Sequence, residues 1–395
     1  MQVRGLLRAG VCFFRPATKR STRRSGRLRV VVALVALASQ ACATVPPEDT
    51  FSGVERIVAV GDVHGGYDEF VSILRQSGVV DARTAWSGGR THLVQTGDLL
   101  DRGAGSRKVM DLVMRLEAQA SMAGGRVHAL LGNHEVMNLT GDLRYASPAE
   151  FAAFATPYSG WVRTQAYASR ADPARRDDPE YRRKWDGDHP LGWVEHREAF
   201  GPNGRYGRWI RTHNTVVKID QFLFLHGGLA PALATLSVRE INERVRTEIR
   251  LEKTPKDGLA SGRQGPLWYR GLAREPEDAL EAHVNQLLTR HGVSHIVMGH
   301  TTMPGGVVPR FGSKVLLIDV GLSEHYGAHP ACLIVERGVA SALHRGRPLP
   351  LPTDRGEGLV AYLRAAALRD PQPSPLVPLI DAAGRLPLAE DASGR

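Results

Sequence analysis

Short apolar runs that end in polar, metal-competent residues recur along this chain. Arg56-Ile57-Val58-Ala59-Val60 has the length and apolar density of a buried strand and runs into Gly61-Asp62-Val63-His64-Gly65. Tyr67 to Gln76 follows with Phe70, Val71 and Leu74 at helical spacing. A second strand, Thr91 to Gln95, leads into Gly97-Asp98-Leu99-Leu100-Asp101-Arg102-Gly103 and then a helix from Ser106 to about Gln119. The third, Arg126 to Leu131, leads into Gly132-Asn133-His134-Glu135. Strands alternating with helices predict a layered α/β architecture, in which ligands bind beyond the carboxyl ends of the strands. These three loops are therefore expected to converge.

The middle of the chain changes character. Residues 142–212 are rich in Arg, Asp, Pro, Tyr and Trp, and Arg170 to Asp188 contains few apolar residues, which predicts a helical insertion with a mobile charged loop. A cap over the site and a solvated spacer both fit that composition. Strands return at Thr215 to Ile219, Gln221 to Leu225 (ending in His226-Gly227-Gly228) and His295 to Met298 (ending in Gly299-His300-Thr301). Helical patterns cover Ser237 to Leu251 and Glu277 to Arg290, and apolar runs at 315–320, 331–335 and 339–343 are expected to complete a second sheet. Beyond Arg345 the chain is Pro-rich apart from a short helical run near Leu359 to Leu368, and is expected to lie along the surface or fray.

Charge alters this picture at one end only. The 395 residues carry a formal charge of +10, but residues 1 to 41 hold nine Lys and Arg and no acidic residue, leaving 42 basic against 41 acidic elsewhere. The basicity thus belongs to a leader and not to a nucleic-acid surface. A basic stretch to Arg29, an apolar run from Val30 to Ala38 and small residues after it have the three parts of an export signal, too short to span a bilayer. Ala41-Cys42-Ala43 fits a cleavage site and Ser39-Gln40-Ala41-Cys42 a lipoprotein box with an atypical first residue. The expectation for residues 1–42 is therefore export, either as a soluble periplasmic protein or as a lipoprotein attached to the membrane through a lipidated Cys42. A twin-arginine route through Arg23-Arg24 is the weaker variant, and a start codon placed too early would leave a cytoplasmic protein. Three cysteines do not make a disulfide framework, and Cys332, in an apolar run, is expected to be packing.

Five segments each end an expected strand with ligand-competent residues: Asp62 with His64, Asp98, Asn133 with His134, His226, and His300. Two divalent cations roughly 3.5 to 4 Å apart need one bridging ligand with imidazoles and oxygens on either side, and Asp98 is the natural bridge. Mixed Asp, Asn and His ligation without thiolate suits Mn, Fe or Zn.

In order, Gly-Asp-x-His-Gly, Gly-Asp-x-x-Asp-Arg-Gly, Gly-Asn-His-Glu, His-Gly-Gly and a late Gly-His resemble the metallophosphoesterases of the phosphoprotein phosphatase (PPP) type, and within them the bacterial branch called Shewanella-like phosphatases. The resemblance runs from about Val54 to His344. It implies a calcineurin-like fold, a central β-sandwich flanked by helices, over residues 54–345, with 142–212 inserted and 346–395 as a tail. It also implies Asp62 and His64 on a first metal ion, Asp98 between two, and Asn133, His226 and His300 on the second. His134 would be the general acid, oriented by Asp101. Arg102 would grip the phosphate, with Asn133 beside it and Arg270, in Trp268-Tyr269-Arg270, as the second arginine.

The implied activity is hydrolysis of phosphomonoesters, small or on proteins, by direct attack of a metal-bound water. A dinucleoside tetraphosphate hydrolase shares the architecture, and a non-catalytic binding protein on the same fold would be expected to have lost ligands that are all present here. Oligomeric state is left open. Several positions depart from the family pattern: Gly66 where many members have Gln, Leu99-Leu100 for Tyr-Val, and Val320 to Tyr326 in place of the usual Ser-Ala-Pro-Asn-Tyr region. His128, His213, His283, His291 and His295 carry no motif. Glu135 is expected to brace its loop, and Trp193, Trp209 and Trp268 to pack, with Trp268 alternatively walling the site.

Overall fold

The expected strands form, and their alternation decides how they stack. The structure is a computed structural model that describes residues 47–384, so the leader and Cys42 lie outside the described residues. In chain order the strands are β1 (Thr50–Phe51), β2 (Arg56–Val60), β3 (His92–Gln95), β4 (Arg126–Ala129), β5 (Val216–Ile219), β6 (Phe222–Leu225), β7 (His295–Met298), β8 (Val308–Arg310), β9 (Val315–Leu317), β10 (Ala331–Glu336), β11 (Val339–His344) and β12 (Arg347–Pro350). They make two six-stranded sheets, β12-β11-β10-β2-β3-β4 and β1-β5-β6-β7-β9-β8. The β2-β3-β4 and β6-β7-β9 neighbours are parallel, so both sheets send carboxyl-terminal loops to one end.

Period-two alternation sorts the second sheet's side chains by face. Val217, Ile219, Phe222, Phe224, Val297 and Leu316 join the core shared with the first sheet. Their neighbours Val216, Leu223, Leu225, Ile296, Met298, Val315 and Leu317 pack instead with Val238, Ile241, Val284 and Leu287 of the helices Val238–Glu248 and Glu277–His291. The result is a β-sandwich flanked by helices. Cys332 is fully buried in β10, and burial pushes its thiol up to about 12, which suits a packing residue.

Three expectations need correction. Of the runs assigned to the second sheet, only the one that becomes β9 belongs there; β10 and β11 extend the first sheet, β10 pairing antiparallel with β2. The charged stretch Arg170 to Asp188 is an ordered part of the fold: a 3-10 turn at Pro173–Arg175 and a helix, Pro179–Asp188. Asp178 caps that helix by accepting from the amides of Glu180 and Tyr181, and Arg182–Asp186 and Lys184–Asp188 ion pairs, each 2.9 Å, run along it. Trp185 anchors it in a small core with Ala166, Tyr167, Ala171 and Val194. Thus caps and i,i+4 charges build what a sparse apolar pattern does not announce.

The chain past residue 345 is also built in. β12 pairs with β11, and the helix Glu357–Ala367 buries Tyr362, Leu363, Ala366 and Ala367. Asp370, itself buried, accepts from His344 Nε2 (2.9 Å), Arg345 Nε (2.7 Å) and Ser374 Oγ (2.7 Å). Leu363→Ala should therefore cost about 2–4 kcal/mol. In urea unfolding the midpoint should drop with an unchanged slope, whereas a surface tail would show no change.

A candidate dinuclear metal centre

Backbone, not side-chain, contacts first draw the loops together. The amides of Val63 and His64 both donate to Asp98 O (3.0 Å), and that of Gly65 to Leu99 O (2.9 Å). Glu135, fully buried, accepts from the amides of Asp98 (2.8 Å), Leu99 (2.9 Å) and Gly132 (2.7 Å), bracing the loops after β3 and β4 as expected of it. His134 N donates to Asp98 Oδ1 (2.9 Å) and His300 N to Asp62 Oδ1 (3.0 Å), which ties in the loops after β4 and β7. Glycine is required where these loops touch: a side chain at Gly132 would collide with Asp98 Oδ1, and one at Gly299 with Asp62 Oδ1.

Five of the site residues, His64, Asp98, Asp101, Arg102 and His300, sit in the left-handed backbone region with φ from 43° to 69°. Such conformations cost about 1–3 kcal/mol each and persist only where surrounding contacts over-determine them. Leu99 and Leu100, which depart from the family pattern, act here through their carbonyls: Leu99 O receives Gly65 N and Leu100 O receives His64 Nδ1 (2.9 Å). These contacts are made by the backbone and do not depend on which side chains stand at the two positions.

Asp98 is the meeting point. Its Oδ2 lies 3.7 Å from His64 Nε2, 3.3 Å from His226 Nε2 and 3.8 Å from His134 Nε2. Two tight donor groups share it, His64–Asp98–His134 and Asp98–His226–His300. Asp62 Oδ2 is 3.8 Å from His64 Nε2, and Asn133 Oδ1 is 3.0 Å from His226 Nε2. Carbonyls fix which ring nitrogens are free: His64 Nδ1 and His226 Nδ1 donate to Leu100 O and Thr96 O, each at 2.9 Å, leaving both Nε2 lone pairs inward. His300 is reversed, its Nε2 donating to Trp268 O (3.2 Å), so that Nδ1 carries the lone pair, with Arg270 Nη2 3.4 Å from it.

The electrostatics fit cations. Asp62, Asp98 and Asp319 are buried together, and among the described residues none forms a salt bridge to lysine or arginine. Burial, then Asp319 and Asp98, hold the Asp62 carboxyl well above its usual range. Burial lowers His64 to about 4 and pushes His300 well below its ordinary value, so both keep their lone pairs. Clustered carboxylates with no lysine or arginine in salt-bridge range, beside the neutral imidazoles of His64 and His300, are the donor set that divalent ions complete.

His134 behaves oppositely. Burial lowers its pKa, but Asp98 and then the Asp101 hydrogen bond outweigh it and raise the ring to about 8. Nδ1 donates to Asp101 Oδ2 at 2.5 Å, and Asp101 is held by Asn138 Nδ2 on its other oxygen (3.0 Å) and through its amide by Glu150 Oε1 (3.1 Å).

These groups floor a cavity of about 250 Å³ lined also by Arg102, Tyr145, Trp268, Arg270, Arg274, Thr302 and Tyr326. Arg102 stacks its guanidinium 3.9 Å from the Tyr145 ring centroid, and its buried Nε has no hydrogen-bond partner among the described residues. Arg270 donates to His300 O (2.5 Å) and Thr301 Oγ1 (3.2 Å). A larger cleft, about 640 Å³, opens at the amino ends of β3 and β4 beside His92 and His128, but neither donor group lies there.

Every site residue expected from the sequence lies at this end of the sandwich. Asp319, Asn138, Tyr145 and Glu150 were not anticipated. Asp319 had a signal, since Ile318-Asp319-Val320-Gly321 ends a strand as the other motifs do; Tyr145 and Glu150 come from the insertion and carry none. Trp268 walls the cavity, whereas Trp193 and Trp209 pack elsewhere. The five histidines without motifs stay outside the cavity lining, two of them donating to carbonyls: His283 to Leu229 O (2.7 Å) and His295 to Ser313 O (2.8 Å).

Two sheets whose loops gather carboxylates and imidazoles around one aspartate, with arginines facing them, define a metal-dependent phosphoesterase. Residues 55–304 match the calcineurin-like phosphoesterase family. The chain is 31% identical over 302 residues to Shewanella-like protein phosphatase 2 of Arabidopsis thaliana, covering 69% of this chain and 73% of that protein. It is 32% identical over 311 residues to an uncharacterised protein of Schizosaccharomyces pombe, covering 75% and 82%. The cold-active protein-tyrosine phosphatase of a psychrophilic Shewanella superposes with a TM-score of 0.61 at 28% identity, over 78% of this chain and 83% of that one. The chain belongs to the Shewanella-like protein phosphatases, calcineurin-like enzymes of the PPP type that hydrolyse phosphoesters with divalent metal ions.

Proposed function

We propose that this enzyme hydrolyses aryl phosphomonoesters, phosphotyrosine foremost, in one in-line step. The observation that carries the reading is Arg102, whose buried Nε has no hydrogen-bond partner among the described residues and which lines, with Asp98, a cavity with aromatic walls. Asp62, His64 and Asp98 would hold one ion, and Asp98, Asn133, His226 and His300 the other, drawn from Mn, Fe or Zn. Bound there, the ions supply positive charge to the phosphoryl oxygens and lower the pKa of the attacking water.

The chain's own groups do the rest. Arg102 offers a planar fork to two phosphoryl oxygens, aimed by the Tyr145 ring beneath it, and Arg270 reaches a third. His134 is assigned the proton and not a metal because its Nδ1 bonds the buried Asp101 carboxylate, which favours the protonated ring, whereas His64 Nδ1 bonds only a backbone carbonyl. As the water oxygen–phosphorus bond forms and the ester bond breaks, His134 Nε2 gives its proton to the leaving oxygen while Asp101 stabilises the ring's charge. Tyr145, Trp268 and Tyr326 would enclose a phenyl ring, and the structural relative named a protein-tyrosine phosphatase supports that substrate. The leader supports export, as a soluble or Cys42-lipidated form.

Turnover of phosphotyrosine, phosphoserine and phosphothreonine peptides and diadenosine tetraphosphate, each with Mn, Fe and Zn, tests the reading. Phosphotyrosine is expected to lead in kcat/KM by about ten-fold or more. Preference for the tetraphosphate would establish the anhydride hydrolase instead.

A further inference from the structure

The chemistry above uses two of the three guanidinium groups that line the cavity. Arg274 ends the short helix Gly271–Arg274, its amide donating to Arg270 O (3.0 Å), so the two arginines stand four residues apart. Like charges at that spacing repel. Arg270 is fastened to His300 O and Thr301 Oγ1, and Arg102 lies on Tyr145, but the exposed Arg274 side chain makes no hydrogen bond or ion pair among the described residues. Asp98 is the only carboxylate among the described residues lining the cavity, and it lies at the floor, where ions would neutralise it. The positive rim is therefore left for the substrate to balance.

We infer that Arg274 binds a second anionic group on the substrate, an aspartate or glutamate side chain beside the phosphorylated residue of a peptide. This rests on the phosphatase reading of the same site. The class of substrate it defines is the acidic phosphopeptide, engaged by Arg102 and Arg270 at the phosphoryl group and by Arg274 at its neighbour.

The test compares kcat/KM of the metal-loaded full chain on two phosphotyrosine peptides that differ only in flanking Glu against Gln. The wild type should favour the acidic peptide about five-fold, through KM, with the advantage shrinking as salt is added. Arg274→Ala should bring the ratio to about one, and Arg274→Glu should take it below one. An unchanged ratio in both variants, or equal turnover of the two peptides by the wild type, overturns the inference while leaving the phosphatase reading standing. If diadenosine tetraphosphate outruns both peptides, or neither is hydrolysed, the phosphatase reading itself fails and this inference with it.

Discussion

Asp98→Asn should lower kcat on the order of 10³-fold or more and reduce bound metal from two ions per chain to one or none. The substitution is nearly isosteric. Asn Oδ1 can still accept from His134 N, the bond that Asp98 Oδ1 makes at 2.9 Å, so the loop after β4 keeps its anchor. What is lost is the charge at Oδ2, the atom that faces His64, His134 and His226. A folded, inactive, metal-poor protein is thus the expected product, seen by metal analysis beside an unchanged circular dichroism spectrum. Wild-type activity in Asp98→Asn would remove the bridge from the account.

His134→Asn should reveal itself through the leaving group. General acid catalysis contributes about 10²–10⁴ where the departing oxygen needs a proton. The loss should be of that size on alkyl phosphates and small on a dinitrophenyl phosphate, whose leaving oxygen departs as an anion. The sign of the pH effect follows from the raised pKa. In the metal-free protein His134 keeps its proton up to about 8, so its share of stability is complete below the unfolded-state value near 6.5 and is lost as pH rises through 8. For catalysis the proton must be present, so kcat falls on the basic side. Ions beside Asp98 repel the imidazolium, placing that limb at or below about 8. The limb should vanish in His134→Asn, and equal losses on both kinds of leaving group would contradict the assignment.

The site was legible because its chemistry sits where local sequence is most informative. Asp62, Asp98, Asn133, His226 and His300 each follow a short apolar strand at a glycine-marked turn, and such turns announce themselves within a few residues. Strand pairing does not. Nothing in Ala331–Glu336 says that it will lie antiparallel against β2, some 270 residues earlier, and not against β9 just before it. The segment after 345 failed for a related reason: Tyr362 and Leu363 look unremarkable until β12 and Asp370 bring them to the core. Asn138 and Glu150, which hold Asp101, contribute through distant hydrogen bonds with no pattern of their own. The insertion thereby reaches Asp101, the partner of His134, through Glu150, and Arg102 through Tyr145, whose carbonyl also receives Arg102 N at 3.1 Å.

Anomalous diffraction from manganese-loaded crystals addresses the two-ion centre most directly. The account predicts two peaks roughly 3.5 to 4 Å apart on either side of the Asp98 carboxylate. One should be within ligand distance of Asp62 and His64, and the other of Asn133, His226 and His300, with His134 bound to neither. A single peak, or an ion ligated by His134 Nε2, would contradict it.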